Sequence, residues 1–406
     1  MDLFDDLPEP GGNKSANTSL YDELPTQDNS RKPWSTSNTS LSLYDDIPTQ
    51  STPETTQSVP NDAQSVTKAT PSVPNDAQSI TKATQSCAAG NGKHKLEEES
   101  TNEDLHKKQK LGVVYEIDSY IVERQGERED MQDAHLIMQD FTSEIPNLHS
   151  SIYRVSMYGV FDGHGGVRAS RFASENLHKN LRDKFPKGDI TVVEKEIRKA
   201  FIDAFKKTDE DFLKQATKSK PVWKDGTTAI LVLLINETMY IANIGDSQAV
   251  LCRYKEDTKT CVPVPLSIPH NPSLYDERMR IQKQGGHVKD GRVMGVLEVS
   301  RSIGDGQYKK LGVTCTPDVK KCSITDNDRY VIIACDGLWK CFEPADSINF
   351  TNKILQNDGS SSKETEENKT RNNRYETACN KLANEAVLRF SGDNVTVLLL
   401  AIRKCR

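Results

Sequence analysis

The sequence predicts a mixed α+β domain with helices outside its sheets, preceded by a disordered N-terminal tail. Three observations predict it: a break in composition near residue 110, short apolar runs alternating with longer helical stripes beyond it, and acidic residues at the ends of those runs. Of the 406 residues only 35% are hydrophobic and 28% are charged, too few apolar side chains for a core spread evenly along the chain. Residues 1–110 hold 10 Lys/Arg against 17 Asp/Glu, whereas residues 111–406 hold 43 against 42, so the net charge of -6 belongs to the tail. The near-neutral remainder is long enough to bury a sizeable core, and its charge balance gives no reason to expect nucleic acid as partner.

The tail, residues 1–110, has four aromatics (Phe4, Tyr21, Trp34, Tyr44) and two kinds of repeat. Leu3-Phe4-Asp5-Asp6-Leu7-Pro8 recurs as Leu20-Tyr21-Asp22-Glu23-Leu24-Pro25 and as Leu43-Tyr44-Asp45-Asp46-Ile47-Pro48. These hexads are either three copies of a short docking motif, gaining avidity by repetition, or drift within an acidic tail. Ser58 through Thr70 returns as Ser72 through Thr84 with Val66 replaced by Ile80, a 14-residue unit too polar to offset its ordering entropy and therefore a spacer. Lys93-His94-Lys95 and Lys107-Lys108-Gln109-Lys110 have the spacing of a split nuclear import signal, with a solvated linker as the alternative. A cytoplasmic location, with nuclear entry through that signal, is the expectation.

Several classes drop out. The longest apolar run, Ala229 to Ile235, has seven residues, against the roughly 18 to 20 a bilayer requires, so no membrane helix is expected. Met1-Asp2-Leu3-Phe4-Asp5-Asp6 has neither a basic leader nor an apolar core, so secretion is not expected. Nine cysteines, an odd number without a C-x-x-C pair, are expected to be reduced and mostly buried, with neither disulfides nor zinc.

In residues 111–406, strands are predicted over Val155 to Phe161, Thr228 to Ile235, Met239 to Ile244, Ala249 to Tyr254, Tyr330 to Cys335 and Val395 to Ile402. Helices are predicted over 166–183, where Phe172, Leu177 and Leu181 recur, and over 192–215, where Val193, Ile197, Phe201, Phe205 and Phe212 share a stripe. A third contains Met279 and Ile281, and a fourth runs from Arg374 to Arg389. The aperiodic polar stretch from Gln356 to Asn373 predicts an exposed loop. Gly245-Asp246 between Met239–Ile244 and the segment from Ser247 predicts a hairpin, hence antiparallel pairing. Strands apolar on both alternating faces, such as Val155, Met157, Val160 and Phe161, predict sheets covered on both sides.

The chemical signal is the placement of aspartates. Asp162 follows Val160-Phe161, Asp246 follows Ile244-Gly245, Asp336 follows Ala334-Cys335, and Asp393 precedes Val395. One Asp-Gly pair is ordinarily a turn. Four carboxylates at strand ends can converge, and converged carboxylates repel unless protonated or neutralised by divalent cations. Oxygen ligands without a Cys or His cluster point to the hard ions Mg2+ and Mn2+.

Seven segments occur in order: Arg128-Glu129-Asp130-Met131-Gln132-Asp133-Ala134-His135, Phe161-Asp162-Gly163-His164-Gly165-Gly166, Asp225-Gly226-Thr227-Thr228-Ala229, Ala242-Asn243-Ile244-Gly245-Asp246-Ser247, Val299-Ser300-Arg301-Ser302-Ile303-Gly304-Asp305, Ala334-Cys335-Asp336-Gly337 and Asp393-Asn394-Val395-Thr396. Together they resemble the protein phosphatase 2C family, the metal-dependent Ser/Thr phosphatases, over residues 115 to 404. The hexads and Arg278-Met279-Arg280-Ile281-Gln282-Lys283 further resemble a kinase-associated branch of that family, which implies integrin-linked kinase as a partner. The resemblance implies two stacked antiparallel sheets flanked by helix pairs, an α-β-β-α sandwich, and hydrolysis of phosphoserine and phosphothreonine in protein substrates by a monomer.

By the same resemblance, Asp162 would bridge two Mn2+ or Mg2+ ions, the Gly163 carbonyl would hold one, and Asp336 and Asp393 the other. Such a pair activates a bridging water for in-line attack on phosphorus. Arg128 would bind the phosphate oxygens, His164 would protonate the leaving oxygen, and Asp133 would orient metal-bound water from outside the ligand set. Gln132 stands where many members have Glu, and Lys340 where an acid often follows four residues after Asp336, leaving Asp246 and Asp305 as candidates for a third metal. Two other readings stay open: a phosphoprotein-binding scaffold with little turnover, and a two-metal phosphodiesterase or nuclease, which the neutral balance disfavours.

Overall fold

The computed structural model describes residues 114–357 and 364–405. The expectations for the tail, its hexads, tandem repeat and basic clusters, fall outside these residues. Two five-stranded antiparallel sheets form the centre. The first runs Tyr115–Arg124, Val395–Lys404, Asp328–Ala334, Gln248–Lys255, Thr260–Pro265, and the second Asp318–Ser323, Thr238–Ile244, Ala229–Ile235, Val155–Phe161, Ala134–Met138.

Strand side chains alternate between faces, and each face here has its own apolar layer. Ala229, Leu231, Leu233 and Ile235 pack under helices Arg168–Lys184 and Ile190–Lys218, whereas Ile230, Val232 and Leu234 face the other sheet. On the first sheet Leu398, Leu400 and Ile402 join that inter-sheet layer, while Val395, Val397, Leu399 and Ala401 pack with Tyr375, Cys379 and Leu382 of helix Glu364–Leu388. The continuous apolar runs in the sequence are thus strands buried on both faces. Asp189 starts the longest helix, its carboxylate accepting from the Thr191 and Val192 amides.

All six predicted strands form, to within two residues at their ends. The other four strands of the two large sheets were not predicted: Tyr115–Arg124, Ala134–Met138, Thr260–Pro265 and Asp318–Ser323. Each is the outermost strand of a sheet and lacks a continuous apolar run; Asp318–Ser323 places two lysines and Thr260–Pro265 two prolines where ladder bonds end. Two expectations are corrected. The Gln356 to Asn373 segment is not a loop through its length, since helix Pro344–Asn357 runs into it and helix Glu364–Leu388 starts inside it. Its Glu, Lys and Arg residues favour helix while giving no hydrophobic period to detect. Nor is the Gly245 turn a hairpin. Thr238–Ile244 belongs to the second sheet and Gln248–Lys255 to the first, so Gly245, at φ +87°, carries the chain across the sandwich.

None of the eight described cysteines is in a disulfide; Cys252, Cys335 and Cys379 are buried and the other five are half-buried, so fewer are buried than expected. Among the described residues no helix is long and apolar enough to cross a membrane.

Candidate metal centre

The strand ends at one edge of the sandwich open into a cleft of about 600 Å³ whose lining includes Arg128, Asp162, Gly163, His164, Asp246, Asp305, Asp336, Lys340 and Asp393. Sheet geometry brings them together. Ala229 pairs with Ile244 and Ile230 with Val160, so Asp162 and Asp246 leave the two strands that flank Ala229–Ile235 at the same end. Ala334 pairs with Val397 and Gln248, setting Asp336 at the matching end of the first sheet. Asp162, Asp246 and Asp336 each offer an oxygen, all within 4.8 Å of one another.

Burial, and after it the neighbouring carboxylates, oppose the ionisation of every acid in this group. Burial, followed by repulsion from Asp133, Asp336, Asp246 and Asp393, raises the Asp162 carboxyl well above the usual range. Burial, with Asp336 beside it, pushes Asp246 up to about 7. Burial also raises Asp336, against the pull of Lys340. Asp336 Oδ1 is buried without a hydrogen-bond partner. An oxygen-only cluster that resists ionisation and aims an unpaired carboxylate oxygen inward fits hard divalent cations.

The supports are specific. The Asp162 carbonyl accepts from the Thr228 amide at 2.9 Å and Thr227 Oγ1 at 3.0 Å. Gly163 lies so close to the Gln132 carbonyl that a Cβ would come within 2.2 Å of it. Asp133, buried behind the cluster, accepts from Thr396 Oγ1 at 2.7 Å, and burial is the main cause of its rise to about 7. Asp393 pairs through Oδ2 with Arg128 Nη2 at 3.0 Å and Lys340 Nζ at 3.4 Å. Arg128 also donates from Nε to the Gly392 carbonyl at 3.2 Å and stays 58% exposed, its guanidinium at the mouth of the cleft.

Some site features had no sequence signal strong enough to predict them. Asn394 donates to the Gln125 and Asp130 carbonyls and accepts from the Gln132 amide, tying down the loop that carries Arg128. Its position beside Asp393 was the one hint. Glu298 reaches across the cleft to within 3.8 Å of Lys340 Nζ. Gln132, flagged for its missing charge, accepts from the Gly166 amide through Oε1 at 3.3 Å. Asp305, expected as a candidate for a third metal, lies in neither acidic group and pairs with His164 Nε2 at 2.7 Å through Oδ2. Burial pulls the His164 imidazole down, but Asp305 more than offsets it and the ring ends above its ordinary value.

The model of the family described as protein phosphatase 2C matches residues 117–395. The chain is 54% identical over 310 residues to an integrin-linked kinase-associated serine/threonine phosphatase 2C of Mus musculus, covering 75% of this chain and 78% of that protein. The protein of the same description from Homo sapiens is 53% identical over 309 residues, covering 75% and 78%. The fold is similar to that of a serine-threonine phosphatase 2C from Toxoplasma gondii, at TM-score 0.57 and 19% identity over 71% of this chain and 95% of that one. With its sandwich of sheets, its acids gathered at one edge and a family match spanning most of the folded region, the chain belongs to the protein phosphatase 2C family, the metal-dependent serine/threonine phosphatases.

Proposed function

We propose that this chain removes phosphate from phosphoserine and phosphothreonine in proteins with two Mn2+ or Mg2+ ions held by Asp162, the Gly163 carbonyl, Asp336 and Asp393. The observation that carries the reading is the approach of the Asp162, Asp246 and Asp336 oxygens to within 4.8 Å of one another beside the Arg128–Asp393 pair. Bound there, the ions supply an activated water and neutralise charge on the phosphoryl oxygens.

The chain's own residues do the rest. Arg128, anchored through Nε and one terminal nitrogen, offers the phosphate a fixed planar cation. His164 gives a proton to the departing seryl or threonyl oxygen. Asp133 accepts from Thr396 on one side and faces the ligand acids on the other, where it orients water. Asp246 adds a third carboxylate to the group formed with Asp162 and Asp336, which supports a role in holding a further ion. Relatives named for association with integrin-linked kinase support that kinase, and the signalling around it, as the setting for this chain.

The test is manganese-dependent phosphate release from a phosphothreonine peptide by the wild type and by Asp162→Ala. Release by the wild type alone is expected. Equal release by both, or binding of the peptide without release, would replace the enzymatic reading with a scaffold.

A further inference from the structure

The pairing of His164 with Asp305 crosses an intervening strand. Gly163–His164, Gly226–Thr227 and Ile303–Gly304 form a small three-stranded sheet with Gly226–Thr227 in the middle, and His164 and Gly304 both lie opposite Gly226. A Cβ on Gly226 would lie 2.1 Å from Asp305 Oδ2 and 2.3 Å from His164 Nε2. The two side chains meet in the space that a side chain at 226 would fill.

Several contacts hold Asp305 there. Its amide donates to the Asp225 carbonyl at 3.0 Å, and the preceding Gly304 amide donates to buried Asp209 at 2.8 Å. Lys309 reaches back to the Ser302 carbonyl at 2.7 Å and to Asp209 at 3.0 Å. Ser302 Oγ donates to the same Asp305 oxygen that receives His164, at 2.6 Å. Asp305 is 2% exposed and precedes a short helix, Gly306–Lys309, that its side chain does not cap. Its φ of +53° is left-handed, a conformation unfavourable for a non-glycine residue that persists where the surroundings impose it. Burial, the backbone bond to Asp225 and the bond from Ser302 Oγ thus hold the Asp305 carboxylate against His164.

We propose that Asp305 is the positioning residue for His164: it holds the ring through Nε2–H, sets its tautomer, and leaves Nδ1 to serve the leaving oxygen. This rests on the general-acid reading of His164. As the bond from phosphorus to the substrate oxygen breaks, its electron pair stays on that oxygen, which takes the proton from Nδ1. The attacking water supplies the new oxygen on phosphate, and the ring, left neutral with Nε2–H still donated to Asp305, is reprotonated from solvent. The logic is that of a buried carboxylate orienting an imidazole.

The test uses the full chain and Asp305→Asn, since Asn also tolerates a left-handed backbone. Turnover of a phosphothreonine peptide is expected to fall about 10- to 100-fold, with little change on nitrophenyl phosphate, whose leaving group needs no proton. Asp305→Asn is expected to add nothing in a His164→Ala background. Nitrogen-15 spectra of His164 are expected to show the Nε2–H tautomer in the wild type and a mixture in the variant. Gly226→Ala, which drives the pair apart while keeping both residues, is expected to repeat the pattern on both substrates. Equal losses on both substrates, a loss additive with His164→Ala, or an unchanged tautomer in Asp305→Asn would overturn the proposal. If His164→Ala itself lost equally on both substrates, the general-acid reading would fall, and the tautomer measurement would still decide whether Asp305 sets the ring.

Discussion

Lys340 Nζ lies 2.6 Å from Asp336 Oδ2, one turn on from it along the chain, and its ammonium also faces Asp393 and Glu298. Burial works against that charge, but the acids raise it well above an ordinary lysine. A tethered cation thus shares carboxylates with the ions proposed for this site. We predict that Lys340→Gln binds Mn2+ more tightly than the wild type, by about tenfold or more, since one unit charge at about 4 Å is worth several kcal/mol at a partly buried site. Calorimetric titration measures it; an equal or weaker affinity in the variant would show that Lys340 does not compete.

Asp162→Asn is expected to abolish turnover and, in chelator, to stabilise the fold. Burial and four neighbouring carboxylates oppose ionisation of Asp162, so a neutral amide of the same shape removes a repulsive cost. A gain of about 1 kcal/mol corresponds to roughly 1–2 °C in a domain of this size. Thermal unfolding with and without Mn2+ tests it: the variant should melt higher than the wild type in chelator and gain less on adding metal. A lower melting point in chelator would mean that the carboxylate has a structural role of its own.

Arg128→Lys is expected to lower kcat/KM for a phosphothreonine peptide by about 10- to 100-fold. The guanidinium uses Nε on the Gly392 carbonyl and one terminal nitrogen on Asp393, and a single ammonium cannot keep both anchors and still face phosphate. Steady-state kinetics decide it, and an unchanged kcat/KM would remove Arg128 from phosphate binding.

Glu277 is buried under two arginines, bonded to both terminal nitrogens of Arg280, to Arg301 and to Ser300 Oγ. Burial raises its carboxyl, but the guanidinium bonds more than offset that and leave it well below the usual range. Glu277→Gln leaves Arg280 without its counter-charge and Arg301 with Asp318 alone, and is expected to cost about 3–5 kcal/mol in urea unfolding at neutral pH. The sign with pH follows from the direction of the shift. A depressed carboxyl stabilises the fold above its unfolded pKa, about 4.3, and loses that contribution as pH falls toward the folded value. The gap between wild type and variant should therefore be full near pH 7 and shrink below about pH 4. A gap independent of pH down to 3 would count against the ionised carboxylate as its source.

The six strands legible in the sequence are those with both faces buried, because two apolar layers leave an unbroken hydrophobic run such as Ala229 to Ile235. The four outermost strands were not legible, since a strand with one partner can carry Lys320, Lys321, Pro263 and Pro265 at no cost to its neighbours. The acids of the site could be read because Asp162 and Asp336 follow predicted strands directly and Asp246 follows one after a single glycine. The grip of Asp305 on His164 could not, because 141 residues separate them and only the pairing of three two-residue strands brings them together. The crossing at Gly245 was missed for a related reason: a glycine at positive φ turns a chain without specifying which sheet it enters next.

The two sheets adhere along most of their length through a buried apolar layer, but at the edge where the acids gather the contact is of another kind. Asp162 comes from one sheet, Asp336 and Asp393 from the other, and Asp246 from the crossing between them. A cation held among them would act as a clasp between two slabs that otherwise push apart there. Catalysis and the closure of this edge would then depend on the same ion, so a chelated chain should loosen from the active-site end first while the far end, at Leu234 and Leu400, stays shut.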